Sequence, residues 1–177
     1  IIRGDVTMEW GGDFSVALDE HGREDIKGVV NVPLIDDTLG IKLFGAQIKS
    51  DGWMYNTTLN EDVGGDDIIN YGFATKWAPT ENFDIKVHYE RMEDESDQGA
   101  YVNTNQDTDF ACLLPFLGDC YRTSKDTSTT NSMNGRNFSD NKYDTTIVTA
   151  NWEINSGLQL TYIGGFRDQN EQNMQHF

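Results

Sequence analysis

The fold of this chain is decided by the stretch Lys76-Trp77-Ala78-Pro79-Thr80-Glu81-Asn82-Phe83-Asp84-Ile85-Lys86-Val87. The same pattern occurs at residues 32–43 and again at residues 151–162. Each copy is a strand that runs into a short polar turn, followed by a second strand in which apolar and polar residues alternate. Long acidic stretches rich in Gly, Asn, Asp and Thr separate the copies. Strands joined by short turns at one end and long loops at the other are typical of an antiparallel up-and-down transmembrane β-barrel.

Alternation of side chains predicts strands with one apolar and one polar face. It is clear over residues 26–34, 83–90, 145–154 and 158–167, and Val6, Met8 and Trp10 predict a first strand near the start. The pattern is weakest over Leu39–Ile48, where Phe44 interrupts it, and over Tyr71–Trp77. In all we expect an all-β chain of about seven strands.

Half-polar sheets also occur in soluble sandwiches and lipocalin-like barrels, and two further features favour a bilayer. Trp77 and Trp152 lie at the same offset from their turns, and Phe83 lies at the matching height across one of them. Aromatic rings at one height suit a membrane interface, and the alternative is an ordinary core position at the end of a sheet. The connection from Met92 to Asn141 is too long for a compact soluble domain.

Charge and hydropathy exclude several classes of protein. The 177 residues carry 30 acidic and 13 basic side chains, a net charge of −17, so nucleic acid is not an expected partner. No apolar run approaches the roughly 20 residues of a transmembrane helix, which does not exclude a barrel. The acidic runs, such as Glu61-Asp62 and Glu93-Asp94-Glu95, are solvated loop surface or a divalent-cation site. Because none has the ligand spacing of a calcium loop, no metal site is expected.

Cys112 and Cys120 lie eight residues apart in the longest predicted loop, with an apolar stretch between them. A close pair in a surface loop predicts a local disulfide formed in an oxidising compartment, and free thiols are the alternative. The disulfide would hold an apolar knob at the tip of a polar loop. This would lower the ordering cost when the loop meets a ligand.

The ends of the chain suggest a piece of a larger barrel. It opens on Ile1-Ile2 without an initiator Met or a signal peptide, which an outer-membrane protein requires. Seven strands would be an odd number for a single-chain bacterial barrel, so residues 1–177 are expected to be a fragment with two open sheet edges. We do not expect such a fragment to fold alone, because its edges are unpaired and one face needs lipid.

Residues 22–90 resemble the first barrel strands of TonB-dependent outer-membrane receptors. The resemblance lies in Gly22–Leu34 with Asp37-Thr38-Leu39, then in Asp51-Gly52-Trp53 with Tyr55-Asn56, and then in Tyr71–Ile85. In the family these motifs follow the plug domain in this order. Residues 144–167 resemble the family more loosely. The segment Gly12–His21 is longer than the family's usual first connection.

The resemblance implies a barrel of about 22 strands whose lumen is filled by an N-terminal plug. Such receptors import ferric siderophores, haem, cobalamin or glycans across the outer membrane of Gram-negative bacteria, with energy relayed by TonB. A ferric siderophore is the first expectation here. The implied partners are outer-membrane lipid, the plug domain, and TonB through a TonB box, and neither plug nor box lies in these residues. No cofactor is expected.

The resemblance also implies where ligands and plug would be met, with short turns in the periplasm and long loops outside. The residues expected to face plug or water in the lumen are Lys27, Asn31, Lys86, His88, Glu90, Gln159, Thr161 and Arg167. Aromatic residues of the loops are the candidate ligand contacts, because they offer large contact area at low entropic cost. They are Trp53, Tyr55, Tyr101, Phe110, Phe116 and Tyr121, and each could instead only pack the loops together.

Catalysis is not expected. Pairs of carboxylates resemble the two catalytic carboxylates of a glycosidase, but here they fall in loops without evident partners. The three histidines are dispersed, and no nucleophile motif lies beside them. Two other functions stay open. A diffusion porin would share the barrel pattern but lack a plug, and the order of the hairpin motifs disfavours it. A soluble carbohydrate-binding β-sandwich would need compact loops, and the long loop disfavours it.

Overall fold

The computed structural model describes residues 4–20, 22–57, 59–97, 129–130 and 137–174, and this part of the chain is all-β. Its strands are β1 (Gly11–Leu18), β2 (Glu24–Ile35), β3 (Leu39–Lys49), β4 (Met54–Asn56), β5 (Glu61–Val63), β6 (Asp67–Thr80), β7 (Phe83–Asp94), β8 (Thr129–Thr130), β9 (Phe138–Asn155) and β10 (Leu158–Met174). In these ranges no helix is long and apolar enough to cross a membrane.

Seven strands form one antiparallel sheet in the order β1-β2-β3-β6-β7-β9-β10. Each long strand pairs with the next long strand in the chain, so the sheet is an up-and-down meander. The prediction of an antiparallel sheet of about seven strands is confirmed. Among the described residues β1 and β10 do not pair with each other, so the sheet is open and has two edges.

The three predicted hairpins are confirmed. Ile35 pairs with Leu39 across the first turn, Thr80 with Phe83 across the second, and Asn155 with Leu158 across the third. In the first turn Asp37 has a φ of 51°, a left-handed conformation that Asp adopts more readily than most residues. Longer connections, residues 50–66 and 95–137, join strands at the opposite end of the sheet.

The first strand is the main correction to the sequence prediction. Residues 4–10, which include Val6, Met8 and Trp10, are not a strand; β1 lies in the following segment, which the sequence suggested was a connection. Residues 4–10, called the strap below, cross one face of the sheet. There Val6 is buried, and Thr7 N donates a hydrogen bond of 3.3 Å to Asn31 Oδ1. An alternation over only six residues could not distinguish a strand from a segment that packs one apolar side chain inward.

Phe44 does not interrupt β3. Side chains alternate along the whole strand, and Phe44 lies on the same face as Lys42. Its ring stacks on His88, with centroids 5.4 Å apart and planes at 9°. The pattern looked weak at this position because an apolar ring lies on the polar face.

A second, small sheet lies in the connection between β3 and β6. Strand β4 pairs antiparallel with β5 and parallel with β8, so a segment of the long β7–β9 connection reaches this sheet. The side chains of Met54 and Asn56 are fully buried there. Gly52 and Gly64, with φ of 109° and 80°, allow the chain to turn on each side of the strand pair.

Candidate functional site

One face of the seven-stranded sheet carries exposed apolar side chains, which we call the apolar band. Its members that stay more than a third exposed are Phe14, Val16, Leu18, Ile26, Val30, Leu34, Leu43, Ile69, Tyr71, Phe73, Trp77, Trp152, Ile154, Leu158, Leu160, Tyr162 and Phe166. By contrast, the buried apolar side chains of the described residues are Val6, Met54, Val63 and Ala74. An apolar surface of this extent on a sheet indicates contact with another apolar phase or partner.

Aromatic side chains mark the edge of the apolar band near the short turns. Phe83 and Trp152 are cross-strand partners on β7 and β9, and Trp77 pairs with Ile85 one row further from the turns. Trp77 and Trp152 are 45% and 46% exposed, so they are not core side chains of this sheet. Amphipathic rings within one cross-strand row of each other and open to the surroundings have the geometry of an interfacial girdle.

Charged side chains mark the opposite edge of the band. Arg91 lies one row beyond Tyr89 on β7, and its guanidinium contacts Glu93 at 2.7 Å and Asp144 at 3.3 Å. Next to them, Lys142 Nζ lies 3.2 Å from Asp140 Oδ1. On β7 and β9 the same face therefore changes from apolar to ionic between one cross-strand row and the next.

The apolar band runs obliquely to the strands. Phe166, its last residue on β10, lies in one cross-strand row with Thr146, Tyr89, Phe73, Leu43, Val30 and Gly12. On β1 the band ends at Leu18, six residues beyond Gly12, so between the two edges of the sheet its limit shifts on average by about one residue per strand. With about 3.4 Å per residue and about 4.8 Å between strands, this shift corresponds to strands tilted by about 35° from the perpendicular to the band.

The opposite face of the sheet is polar, and all eight side chains predicted for a lumen lie on it. Cross-strand pairing places them on the same side as Lys42, Ala74 and Thr145, away from the apolar band. These eight are Lys27, Asn31, Lys86, His88, Glu90, Gln159, Thr161 and Arg167. Near β10, the Arg167 guanidinium stacks on the ring of Tyr143, 4.6 Å from its centroid.

A hydrogen-bonded group occupies the centre of the polar face. His88 Nε2 lies 3.2 Å from Glu90 Oε2, and Asn70 Nδ2 donates a hydrogen bond of 2.7 Å to Glu90 Oε1. They line a cavity of about 390 Å³ together with Phe44 and the buried Lys42. This cavity combines one apolar wall with several hydrogen-bonding groups, which suits a small polar ligand. Within the described ranges, no group of three or more His, Cys, Asp or Glu side chains could hold a metal ion.

The strap is fixed to the polar face by lysines. Lys86 Nζ donates to Asp5 Oδ2 at 2.9 Å, and Lys42 Nζ donates to the backbone carbonyl of Gly4. Partial burial raises the pKa of Asp5, but the hydrogen bonds from Lys86 and Val6 N and the charges of Lys86 and Lys76 outweigh it. The net result is a pKa below the ordinary value for an Asp side chain.

Two of the six predicted ligand-contact aromatics lie in the described part of the chain. Trp53 immediately precedes β4 and Tyr55 lies on it, and both rings are exposed. The Tyr55 hydroxyl donates to Asn60 Oδ1 at 2.7 Å, which holds the ring against the β4–β5 turn. Tyr101, Phe110, Phe116 and Tyr121, and the predicted disulfide between Cys112 and Cys120, lie outside the described residues.

Several residues of the polar face escaped prediction. Lys42 and Lys76 belong to the same alternation that identified Lys86, and extending it over β3 and β6 would have found both. Asn70 and Phe44 lie in the two segments where the pattern was weakest. Nothing in the sequence indicated that Asp5 contacts the polar face, because the alternation around it predicted a strand.

Comparisons with known protein families, curated proteins and solved structures give no match for this chain. The resemblance to TonB-dependent receptors therefore remains a prediction from the motifs quoted above. Function has to be argued from the two faces of the sheet.

Proposed function

We propose that this chain forms part of the transmembrane β-barrel of a Gram-negative outer-membrane receptor. The receptor imports a scarce nutrient, with energy from TonB and ligand recognition by its outer loops. The observation that carries the proposal is the exposed apolar band, limited by aromatic rings on one side and by ion pairs on the other. A lipid bilayer has this sequence of environments: interface, hydrocarbon, interface.

The obliqueness of the band supports a barrel in particular. If the band lies parallel to the membrane, the strands are tilted by about 35°, and closed membrane barrels require strand tilts of about 35–45°. The two open edges then pair with further strands of the complete barrel. An isolated flat sheet would have no reason to show this offset.

The strap favours a receptor over a diffusion porin. A porin needs a water-filled lumen. Here the strap already covers part of the polar face, where it forms hydrogen bonds with Lys42, Lys86 and Asn31. A β-sandwich would need a second sheet to cover the apolar band. The second sheet of the described residues has only three short strands and cannot cover it.

The ligand is proposed to be a ferric siderophore, with haem, cobalamin or a glycan as alternatives. Trp53 and Tyr55 are the described side chains best placed for contact, because they are exposed at the end of the sheet where the long connections lie. Exposed rings can stack on the aromatic or sugar portions of any of these ligands.

The test is uptake by cells with and without an intact gene for this protein. Radioactive iron is supplied as catecholate and hydroxamate complexes, with and without a proton uncoupler. Gene-dependent uptake that the uncoupler abolishes supports the receptor. Uptake insensitive to the uncoupler supports a porin, and recovery of the protein in the soluble fraction contradicts a membrane barrel.

A further inference from the structure

Three lysines converge on the polar face beneath the strap. Lys76 and Lys86 are direct cross-strand partners on β6 and β7, and Lys42 on β3 pairs with Ala74, two residues from Lys76 on the same face. Like charges directly opposite each other destabilise a sheet unless an anion lies between or above them. This part of the sheet is therefore built to hold negative charge.

Lys42 has the greatest need of an anionic partner among the three lysines, because the residue is only 7% exposed. Its ammonium has three donors, and in the described part of the chain its hydrogen bond goes to a neutral acceptor, the carbonyl of Gly4. Neither Lys42 nor Lys76 forms an ion pair with a carboxylate of the described residues. A buried cation gains most from an anionic partner.

Of the other carboxylates nearby, Asp13 lines the same cavity as Lys42 but forms no ion pair with any of the three lysines in the described part of the chain. Glu90 and Asp84 are engaged elsewhere. Glu90 accepts hydrogen bonds from Asn70 and contacts His88, and Asp84 accepts a hydrogen bond of 3.1 Å from Asn151. Asp5 is the carboxylate that meets the lysines, and its side chain remains 59% exposed in its contact with Lys86. A single, half-exposed carboxylate from a segment outside the sheet is a replaceable partner.

There is room for a ligand beside the strap. Cavities of about 390 and 350 Å³ border Gly4 and Asp5, the first lined by Lys42 and the second by Lys86. Both volumes lie in the range of small-molecule sites. Withdrawal of the strap would join the two spaces over Lys42 and Lys86. Lys76 lies beside them as the cross-strand partner of Lys86, and its charge acts on Asp5.

We propose that Lys42, Lys76 and Lys86 form a binding site for a small anion with two or more carboxylate or phosphate groups, and that Gly4 and Asp5 occupy this site as an internal ligand. The anion replaces Asp5 at Lys86, pairs with Lys76 and offers a charged partner to Lys42. Binding then releases the strap from the sheet. The inference depends on the polar face alone and not on which nutrient is transported.

The test is titration calorimetry of the detergent-solubilised full-length protein with citrate and pyrophosphate at low ionic strength, with sucrose as a neutral control. Asp5→Asn removes the internal competitor and is expected to tighten binding about three- to fivefold. Lys76→Gln removes one charge and is expected to weaken it about fivefold or more. Lys27→Gln is the matched control, because Lys27 lies on the same face but pairs with Asp25 at 3.2 Å, and it should leave binding unchanged.

If Asp5→Asn tightens anion binding and Lys76→Gln weakens it, Asp5 and the anion compete for the same site. Three outcomes would overturn the proposal: no binding of either anion, equal weakening by Lys27→Gln and Lys76→Gln, or no tightening in Asp5→Asn. Equal weakening by the two lysine variants would mean that the anion is attracted diffusely to a charged surface and not bound at one site. Because uptake by cells is not measured, failure here leaves the proposed transport function to its own test.

Discussion

Tyr89 donates a hydrogen bond of 2.5 Å to Asp144 Oδ1 across β7 and β9. Tyr89 is the last aromatic residue of the apolar band on β7, and Asp144 is the first carboxylate beyond the band on β9. The ring of Tyr89 also packs against Phe73, with centroids 5.7 Å apart. One side chain thus joins the apolar band to the ionic edge, as an interfacial tyrosine does with an apolar ring and a polar tip.

A charge placed on the apolar band should be far more damaging than the same charge on the neighbouring residue. Tyr162 and Ile163 are adjacent on β10, are 61% and 70% exposed, and point to opposite faces. We expect Tyr162→Arg to lower the stability of the membrane-inserted protein by about 2–4 kcal/mol, because arginine would enter hydrocarbon. Ile163→Arg places the same charge on the polar face and should change this stability by less than about 1 kcal/mol.

Equilibrium unfolding in lipid vesicles with guanidinium would measure both substitutions. Equal losses for Tyr162→Arg and Ile163→Arg would contradict the assignment of the two faces. A soluble, fully folded Tyr162→Arg protein would argue against a bilayer altogether.

The four tryptophans should report membrane depth separately. Trp77 and Trp152 lie at the aromatic edge of the band, whereas Trp10 ends the strap and Trp53 precedes β4. In variants that retain one tryptophan, we expect lipids brominated near the headgroup to quench Trp77 and Trp152 strongly and Trp10 and Trp53 weakly. Fluorescence in vesicles with bromines at increasing depth makes this measurement. Uniform quenching of all four tryptophans would contradict the placement of Trp77 and Trp152 at a membrane interface.

The hairpins were predictable because their signals are local. Short polar turns between alternating strands, as at Thr80–Phe83, fix both the connection and the face of each side chain. All eight polar-face residues were assigned correctly to one side for this reason. The pairing register between strands did not have to be known, because odd and even positions along one strand point to opposite faces.

The strap and the lysine site could not be found in the same way. Residues 4–10 are held by contacts to partners far along the chain, such as Asp5 with Lys86 and Thr7 with Asn31. No local pattern encodes such contacts, and the short alternation around Val6 imitated a strand. The convergence of Lys42, Lys76 and Lys86 requires the pairing of three strands, which the sequence alone does not specify.

Gly72 should be intolerant of a methyl group, although Gly45 on the adjacent strand should tolerate one. A Cβ on Gly72 would lie 2.1 Å from the carbonyl oxygen of Tyr89 and 2.8 Å from the Phe44 ring. On Gly45 the nearest atom would be 3.8 Å away. We expect Gly72→Ala to destabilise the protein by about 1–3 kcal/mol through overpacking, and Gly45→Ala to be neutral or slightly stabilising. Guanidinium unfolding in detergent micelles would compare them, and similar midpoints would refute the close contact at Gly72.

Acid should release the strap, and only below the ordinary pKa of an Asp side chain. Because the pKa of Asp5 is lowered in the folded protein, its contribution is complete above about pH 4 and is lost as the pH falls through the lowered value. The pair with Lys86 is half-exposed, so we expect a contribution of at most a few tenths of a kcal/mol and a modest rise in strap mobility. A spin label at Glu9→Cys, in a Cys112→Ser/Cys120→Ser background, would follow that mobility between pH 7 and about 3.

Asp5→Asn is the matched control for this titration. It removes the ionisable group but keeps an oxygen that can accept from Lys86, so the label's mobility should no longer depend on the protonation of residue 5. Asp13, His88 and Glu90 line the same cavity as Asp5. Glu9 lies on the strap itself, and the substitution that carries the label removes it. A transition that persists unchanged in Asp5→Asn would show that the pH dependence does not come from Asp5. A mobility that is constant over the whole range in the parent protein would mean that the contacts of Lys42 and Asn31 hold the strap without the Asp5 charge.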